Sequence, residues 1–212
     1  SYDGVRLVPS ATMAALDRTN AVATGVAPSV DYGATLGWYC HGSGDPTTWI
    51  DSVGRGIAAS GRFVRATWTP DGPATLLINW APDVALSVDT WGPGGDWLLA
   101  QVPAMIGDLD EGAPHLELDA HQVVASTACA NRHVRFGASA ALYHELLPTV
   151  LEQRITNGEA KQQWGRLCRE LSEPAPGPFA RLLLPPAPDV LRRQPSWWFH
   201  PLGIERKRAH PL

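Results

Sequence analysis

Residues 135–171 read RFGASAALYHELLPTVLEQRITNGEAKQQWGRLCREL, and this stretch holds the two clearest helical patterns of the chain. In both patterns the apolar side chains recur every three or four residues, which places them on one face of a helix. They are Leu142, Leu146, Leu147, Val150, Leu151 and Ile155 in the first helix, and Ala160, Trp164, Leu167, Cys168 and Leu171 in the second. The stretch therefore predicts a helical hairpin with one buried side.

A polar break at residues 156–158 separates the two helices. Asn157 belongs to the residue types that cap helix N-termini, so we expect it to begin the second helix. The polar string Glu-Gln-Arg at residues 152–154 precedes the break and offers a helix end to an external partner.

The net charge of -4 hides an asymmetry between the two parts of the chain. Residues 130–212 hold 12 Lys or Arg and 7 Asp or Glu, net +5, whereas residues 1–129 hold 5 and 14, net -9. A basic C-terminal part is compatible with a polyanion partner, although arginines on helices are usually just solvated.

The three cysteines, Cys40, Cys129 and Cys168, lie far apart and form no metal-binding or redox pair motif. No run approaches the roughly 18 apolar residues of a membrane span, and the N-terminus lacks the pattern of a secretion signal. We therefore expect a cytoplasmic protein in a reducing compartment, with no membrane partner, no metal site and no cofactor.

Residues 61–69 alternate between apolar and polar side chains, as a half-buried strand does. Pro-Asp-Gly at 70–72 is a turn signal before a second strand at 74–80, and Ala-Pro-Asp at 81–83 leads into a third at 84–91. Three strands joined by tight turns predict an antiparallel meander, and residues 30–36 are expected to open the same sheet.

The predicted fold class is α+β, with an antiparallel sheet domain followed by an all-helical region. We expect a loosely ordered arm over residues 1–29, the sheet domain over 30–110 and the helical region over 111–212, with an acidic loop at 107–114 as the boundary.

The residues alone indicate no catalytic centre. The glycines of WGPGGDW, residues 91–97, lack the spacing of a phosphate-binding loop, and Asp96 would repel an anion, so a helix cap and tight turn is the favoured interpretation. The seven histidines are scattered, and no nucleophile or paired carboxylates stand at an informative spacing. Trp197 and Trp198 cannot both face inward on one helix, so one is expected to be exposed.

Five segments occur in the same order in a group of actinobacterial-type DNA glycosylases. They are RATWTPDGPATLLI (65–78), TWGPGGDWLLAQVPAMIG (90–107), VRFG (134–137), LLPTVLEQRIT (146–156) and PSWWFHPLGIERKRA (195–209). Over about residues 30–212 the chain resembles the DNA-3-methyladenine glycosylase II group of the helix-hairpin-helix superfamily. The resemblance implies a sheet domain similar to half a TATA-binding protein before a helical catalytic region. It also implies an enzyme of base excision repair that flips a damaged base out of duplex DNA and breaks its glycosidic bond.

The resemblance also implies which residues contact DNA. Phe136, or alternatively Val134, stands where the family inserts a wedge into the duplex, and Gln153 matches a glutamine near the minor groove. Arg154 and Thr156 are neighbours that could reach phosphate or base edges. From the residues alone, Phe136 would be a loop residue packed on the hairpin, Gln153 a surface residue and 206–208 a solvated basic turn.

The glycine-rich hairpin and the catalytic Asp of that family do not occur in these 212 residues. We therefore expect an apparently incomplete helical region, no catalytic residue within the chain, and no glycosylase activity from these residues alone. The alternatives are a non-catalytic DNA-binding or protein-interaction module that retains the scaffold, and a remnant that self-associates through an exposed apolar face.

Overall fold

A six-stranded antiparallel sheet occupies the first half of the chain. The computed structural model describes residues 6–9, 18–24, 30–110 and 121–209, the first two segments by their backbone. The spatial order of the strands is β1-β2-β6-β5-β4-β3, and every neighbouring pair is antiparallel. The strands are β1 (Arg6–Pro9), β2 (Arg18–Thr24), β3 (Thr48–Val53), β4 (Ser60–Thr69), β5 (Gly72–Ala81) and β6 (Val84–Trp91).

The central meander β4-β5-β6 follows the turn signals of the sequence. Thr69 pairs with Gly72 across the first turn, and Gly72 has a φ of 122°, which suits a residue without a Cβ. Ala81 pairs with Val84 across the second turn. The prediction of three strands joined by tight turns is confirmed.

Two predictions for the start of the chain are wrong. Residues 30–36 were expected to open the sheet, but Tyr32–Gly37 form helix α1, because the Asp31 carboxylate accepts a hydrogen bond from the Ala34 amide (2.9 Å) and caps the first turn. Residues 1–29 were expected to be a loosely ordered arm, but β1 and β2 lie within them. Antiparallel backbone pairing of β2 with β6 extends the sheet there, a long-range contact that local periodicity does not reveal.

Both faces of the central meander β4-β5-β6 are covered. On one face α1 and helix α2 (Gly95–Met105) pack over an apolar core that includes Phe63, Leu76 and Val88. On the other face Val64 and Ala66 contact Leu182 and Leu184 of the segment 173–185. This segment is fixed by backbone hydrogen bonds, among them one from the Leu183 amide to the Pro46 carbonyl (2.8 Å).

The second half of the described chain is helical. It contains α3 (Gln122–Ala130), α4 (Leu142–Leu151), α5 (Asn157–Leu171), α6 (Pro188–Arg192), a 3-10 helix (Ser196–Leu202) and α7 (Arg206–Ala209). These elements share a core of Leu147, Leu151, Trp164, Leu167, Cys168, Leu191, Phe199, Leu202, Ile204 and Ala209. The α+β class is thus confirmed, whereas the domain boundary near residue 110 stays a prediction.

The helical hairpin of the sequence corresponds to α4 and α5, with two differences. Leu142 and Leu146 were predicted to lie on the buried face of the first helix but are exposed. The buried face of α4 contains His144, Leu147 and Leu151. Thr156, rather than Asn157, is the N-cap of α5. Of the helices in residues 30–110 and 121–209, none combines the length and the apolar character that crossing a membrane requires.

Candidate nucleic-acid interface

Phe136 lies in the segment between α3 and α4 and projects into solvent, with 79% of its surface exposed. Its backbone is held firmly. The Phe136 amide donates to the Asp110 carboxylate (2.8 Å), and the next residue, Gly137, approaches the Met105 carbonyl and the Tyr39 hydroxyl so closely that a Cβ would collide with both. A large apolar side chain is therefore presented to solvent from a fixed main chain.

Phe136 lines the rim of an open groove of about 420 Å³ between α1 and the start of α4. Trp38, which is 70% exposed, and Tyr39 contribute further aromatic surface, and Leu142 of α4 lines the groove as well. Sequence reasoning missed Trp38 and Tyr39, because they lie just beyond the strand predicted at residues 30–36 and no motif singles them out. The other lining residues are Thr35, Gly137, Ala138, Ser139, Ala140 and Glu145.

Glu145 is the one acid among the described residues that line this groove, and its carboxylate is bound to the sheet. Glu145 Oε1 accepts hydrogen bonds from Arg65 Nη2 (2.6 Å) and from the Ser139 hydroxyl (2.7 Å). Arg65 lies on β4 with its side chain fully buried, and its Nη1 donates to the Tyr39 carbonyl (3.2 Å). Burial, with a smaller contribution from the Glu145 charge, raises the pKa of Tyr39 to about 12, although Arg65 acts in the opposite sense.

A second buried polar cluster, which we call the His144 cluster, joins α4 and α5 to the sheet. His144 Nε2 lies 3.0 Å from Thr47 Oγ1, and its Nδ1 lies 3.1 Å from Thr67 Oγ1. The Asp45 carboxylate accepts from the Thr47 hydroxyl (2.8 Å) and from the Trp164 indole of α5 (3.0 Å). Complete burial is the main cause that holds the pKa of His144 well below 6.5, and the imidazole is therefore neutral.

Gln153, Arg154 and Thr156 lie together in the turn between α4 and α5, and all three are exposed. Arg154 has a φ of 61°, in the left-handed region that reverses the chain. The Thr156 hydroxyl is already occupied, because it accepts from the Glu159 amide (3.3 Å) and donates to the Glu159 carboxylate (2.9 Å) in a capping box. The Thr156 amide also donates to the Glu159 carboxylate (3.1 Å), and this bond, followed by the one from the Thr156 hydroxyl, lowers the pKa of Glu159.

The four residues assigned to DNA contact form two separate groups. Phe136 precedes the N-terminus of α4, whereas Gln153, Arg154 and Thr156 follow its C-terminus, and a helix of 10 residues spans about 15 Å. The basic residues 206–208 were expected to form a solvated turn. Arg206 and Lys207 are exposed, as expected, but Arg208 is buried. In the described part of the chain no three His, Cys, Asp or Glu side chains are grouped as metal ligands would be.

Comparison with solved structures finds a likeness over most of this architecture. The chain is similar to the 3-methyladenine DNA-glycosylase from Archaeoglobus fulgidus, with a TM-score of 0.59 and 13% sequence identity. The likeness covers 86% of this chain and 61% of that chain, so the present residues span less than two thirds of the solved enzyme. No protein-family model and no curated protein matches the sequence. At this identity the comparison shows a DNA-glycosylase-like fold.

Proposed function

We propose that this chain is part of a DNA repair glycosylase that binds duplex DNA and moves a damaged base out of the helix stack. The glycosylase-like fold supports the class of protein. Because the chain spans 61% of the solved neighbour, we attribute base excision to the whole protein and DNA contact to these residues.

The observation that carries the proposal is the exposed Phe136 on a fixed main chain beside an aromatic groove. Leaving a large apolar side chain in water forgoes roughly 1.5–3 kcal/mol that burial would provide. Insertion into a duplex makes use of such a side chain, because it fills the space that a displaced base leaves in the stack. The α4–α5 turn adds a second contact region, where Arg154 is exposed and suited to a phosphate oxygen.

Fluorescence anisotropy with labelled duplex DNA tests this proposal. Wild-type protein should bind a duplex with an abasic-site analogue more tightly than an intact duplex, since the gap lowers the cost of unstacking. Phe136→Ala should remove most of this preference. Leu142→Ala is the matched control, because Leu142 lines the same groove and is 67% exposed, yet should leave the preference unchanged.

Arg154→Ala should weaken binding to both duplexes alike and reduce the slope of log affinity against log salt by about 1, as expected for one lost phosphate contact. Absence of any salt-dependent binding by the wild-type protein would contradict the proposed DNA contact.

A second candidate function is that of a DNA-binding module without catalytic activity. The hydrogen bonds that the Glu145 carboxylate already accepts favour this candidate. Glu145 is the only acid among the described residues that line the groove, and Arg65 and Ser139 already hold its carboxylate. A carboxylate so engaged is poorly placed to assist attack by water. We expect no base release from alkylated DNA by the 212-residue chain, and measurable release would overturn this candidate.

A further inference from the structure

Arg208 of α7 is a buried arginine that connects three segments of the helical region. Its Nη1 donates to the Leu151 carbonyl (3.2 Å) and to Gln163 Oε1 (2.7 Å), and its Nη2 donates to the Gly203 carbonyl (3.2 Å). Gln163 Nε2 donates to the same Gly203 carbonyl (2.6 Å), which closes the network. A single guanidinium thus bonds to α4, to α5 and to the turn before α7.

The contacts of Arg208 stand on both sides of the α4–α5 turn. Leu151 is the last residue of α4, and Gln163 lies in the second turn of α5, so residues 152–156 run between two points that Arg208 fixes. The Leu151 carbonyl is also at the C-terminus of α4, where the helix dipole favours a positive charge.

A second contact at this turn, between His41 and Glu152, is weaker. His41 Nδ1 lies 3.7 Å from the Glu152 carboxylate, whose side chain is 44% exposed. The His41 side chain is 15% exposed and carries a charge only when it is protonated, so a contact at this distance contributes little to stability. The planar fork of arginine, by contrast, reaches several acceptors at once in a fixed geometry, which a lysine ammonium on a flexible stem does not reproduce.

We infer that Arg208 is a positioning residue for the α4–α5 turn, which it holds in the conformation that presents Gln153 and Arg154 to DNA. The DNA part of this inference rests on the proposed function. The restraint of the turn rests on the hydrogen bonds of Arg208 alone.

Hydrogen–deuterium exchange measures the restraint without DNA. In Arg208→Met the amides of residues 152–156 should exchange at least about tenfold faster, because the turn opens locally. Peptides that cover residues 136–141 should be unchanged. Arg208→Lys keeps the charge and should restore only part of the protection. Lys207→Met is the matched control, since it removes the same charge from the exposed neighbour in α7.

Anisotropy with double variants measures the consequence for DNA binding. The loss of affinity caused by Arg154→Ala should be at least about threefold smaller in the Arg208→Met background, since the turn is then no longer held in place. The loss caused by Phe136→Ala, at the other end of α4, should stay within about twofold of its value in wild-type protein.

Unchanged exchange of residues 152–156 in Arg208→Met, relative to Lys207→Met, would overturn the restraint. Equal coupling of Arg208 to Arg154 and to Phe136 would overturn the positioning role, because it would reveal a general loss of structure. If wild-type protein does not bind DNA at all, the proposed function fails, and the exchange result still decides whether Arg208 restrains the turn.

Discussion

Acidification should weaken the contact between the sheet and α4, because His144 is buried as a neutral imidazole. Its ring nitrogens lie 3.0 Å from Thr47 Oγ1 and 3.1 Å from Thr67 Oγ1. Burial first, then the charges of Arg65 and His41, hold its pKa in the folded protein well below 6.5. In the unfolded chain the pKa is ordinary, about 6.5. As the pH falls, the unfolded state therefore binds the proton first, and the free energy of unfolding decreases.

The size of this effect follows from proton linkage. For a group that stays neutral in the folded protein and has an unfolded pKa of about 6.5, the loss is about 0.1 kcal/mol at pH 7.5 and about 1.4 kcal/mol at pH 5.5. The stabilisation is complete above the unfolded pKa and is lost as the pH falls toward the lowered pKa of the folded state.

Urea unfolding of wild-type protein and of His144→Gln at pH 7.5 and 5.5 isolates this contribution from other titrating groups. The glutamine amide cannot take up a proton and keeps one of the two hydrogen bonds, so we expect it to cost about 1 kcal/mol at pH 7.5. The difference in free energy of unfolding between the two proteins should then shift by about 1.4 kcal/mol in favour of the variant at pH 5.5. His200→Gln is the control at an exposed position. A difference that does not change with pH would refute the neutral, buried state of His144.

Three further substitutions test the contacts around α4 by urea unfolding. Thr156→Ala should lower the free energy of unfolding by about 1 kcal/mol, because it removes the cap of α5, and Thr156→Ser should restore most of it. Glu145→Leu should lower the free energy of unfolding by about 2 kcal/mol, which is less than for a fully buried pair because this carboxylate is one-third exposed. Adding Arg65→Met should recover part of the loss. If the effects of the two substitutions were purely additive, the pairing would be contradicted. Arg154→Gly should raise the free energy of unfolding by about 0.5 kcal/mol, because a φ of 61° suits glycine. The same variant should bind DNA more weakly. A lower free energy of unfolding would show that the Arg154 side chain supports the fold.

The sequence predicted the parts of the fold that depend on local patterns. The alternation in residues 61–69, the Pro-Asp-Gly turn and the apolar stripe of Trp164, Leu167 and Cys168 all correspond to observed elements. Each of these signals is contained in a short window, where side-chain period and turn chemistry determine the local structure.

Contacts between distant parts of the chain could not be predicted in this way. Arg65 and Glu145 are 80 residues apart, and the Trp164–Asp45 hydrogen bond joins residues 119 apart. Arg208 stands in a basic run that is typical of a solvated turn, and its contacts with Leu151 and Gln163 lie 57 and 45 residues away along the chain. The grouping of Trp38, Tyr39 and Phe136 around one groove likewise depends on how α1 meets the segment before α4.

The polar character of the His144 cluster also determines which groups the sheet exposes while the chain is being synthesised. At about 5–20 residues per second, roughly 6–24 s pass between the translation of Asp45 and that of its partner Trp164, 119 residues later. During this time the strands of the meander, joined by short turns, can already pair, while the surface that will receive α4 and α5 stays open to water. Asp45, Arg65 and Thr67 are buried in the folded protein, but water can hydrate them before α4 and α5 arrive, so the open surface presents polar groups to other nascent chains. A purely apolar surface would instead promote aggregation before the helices arrive.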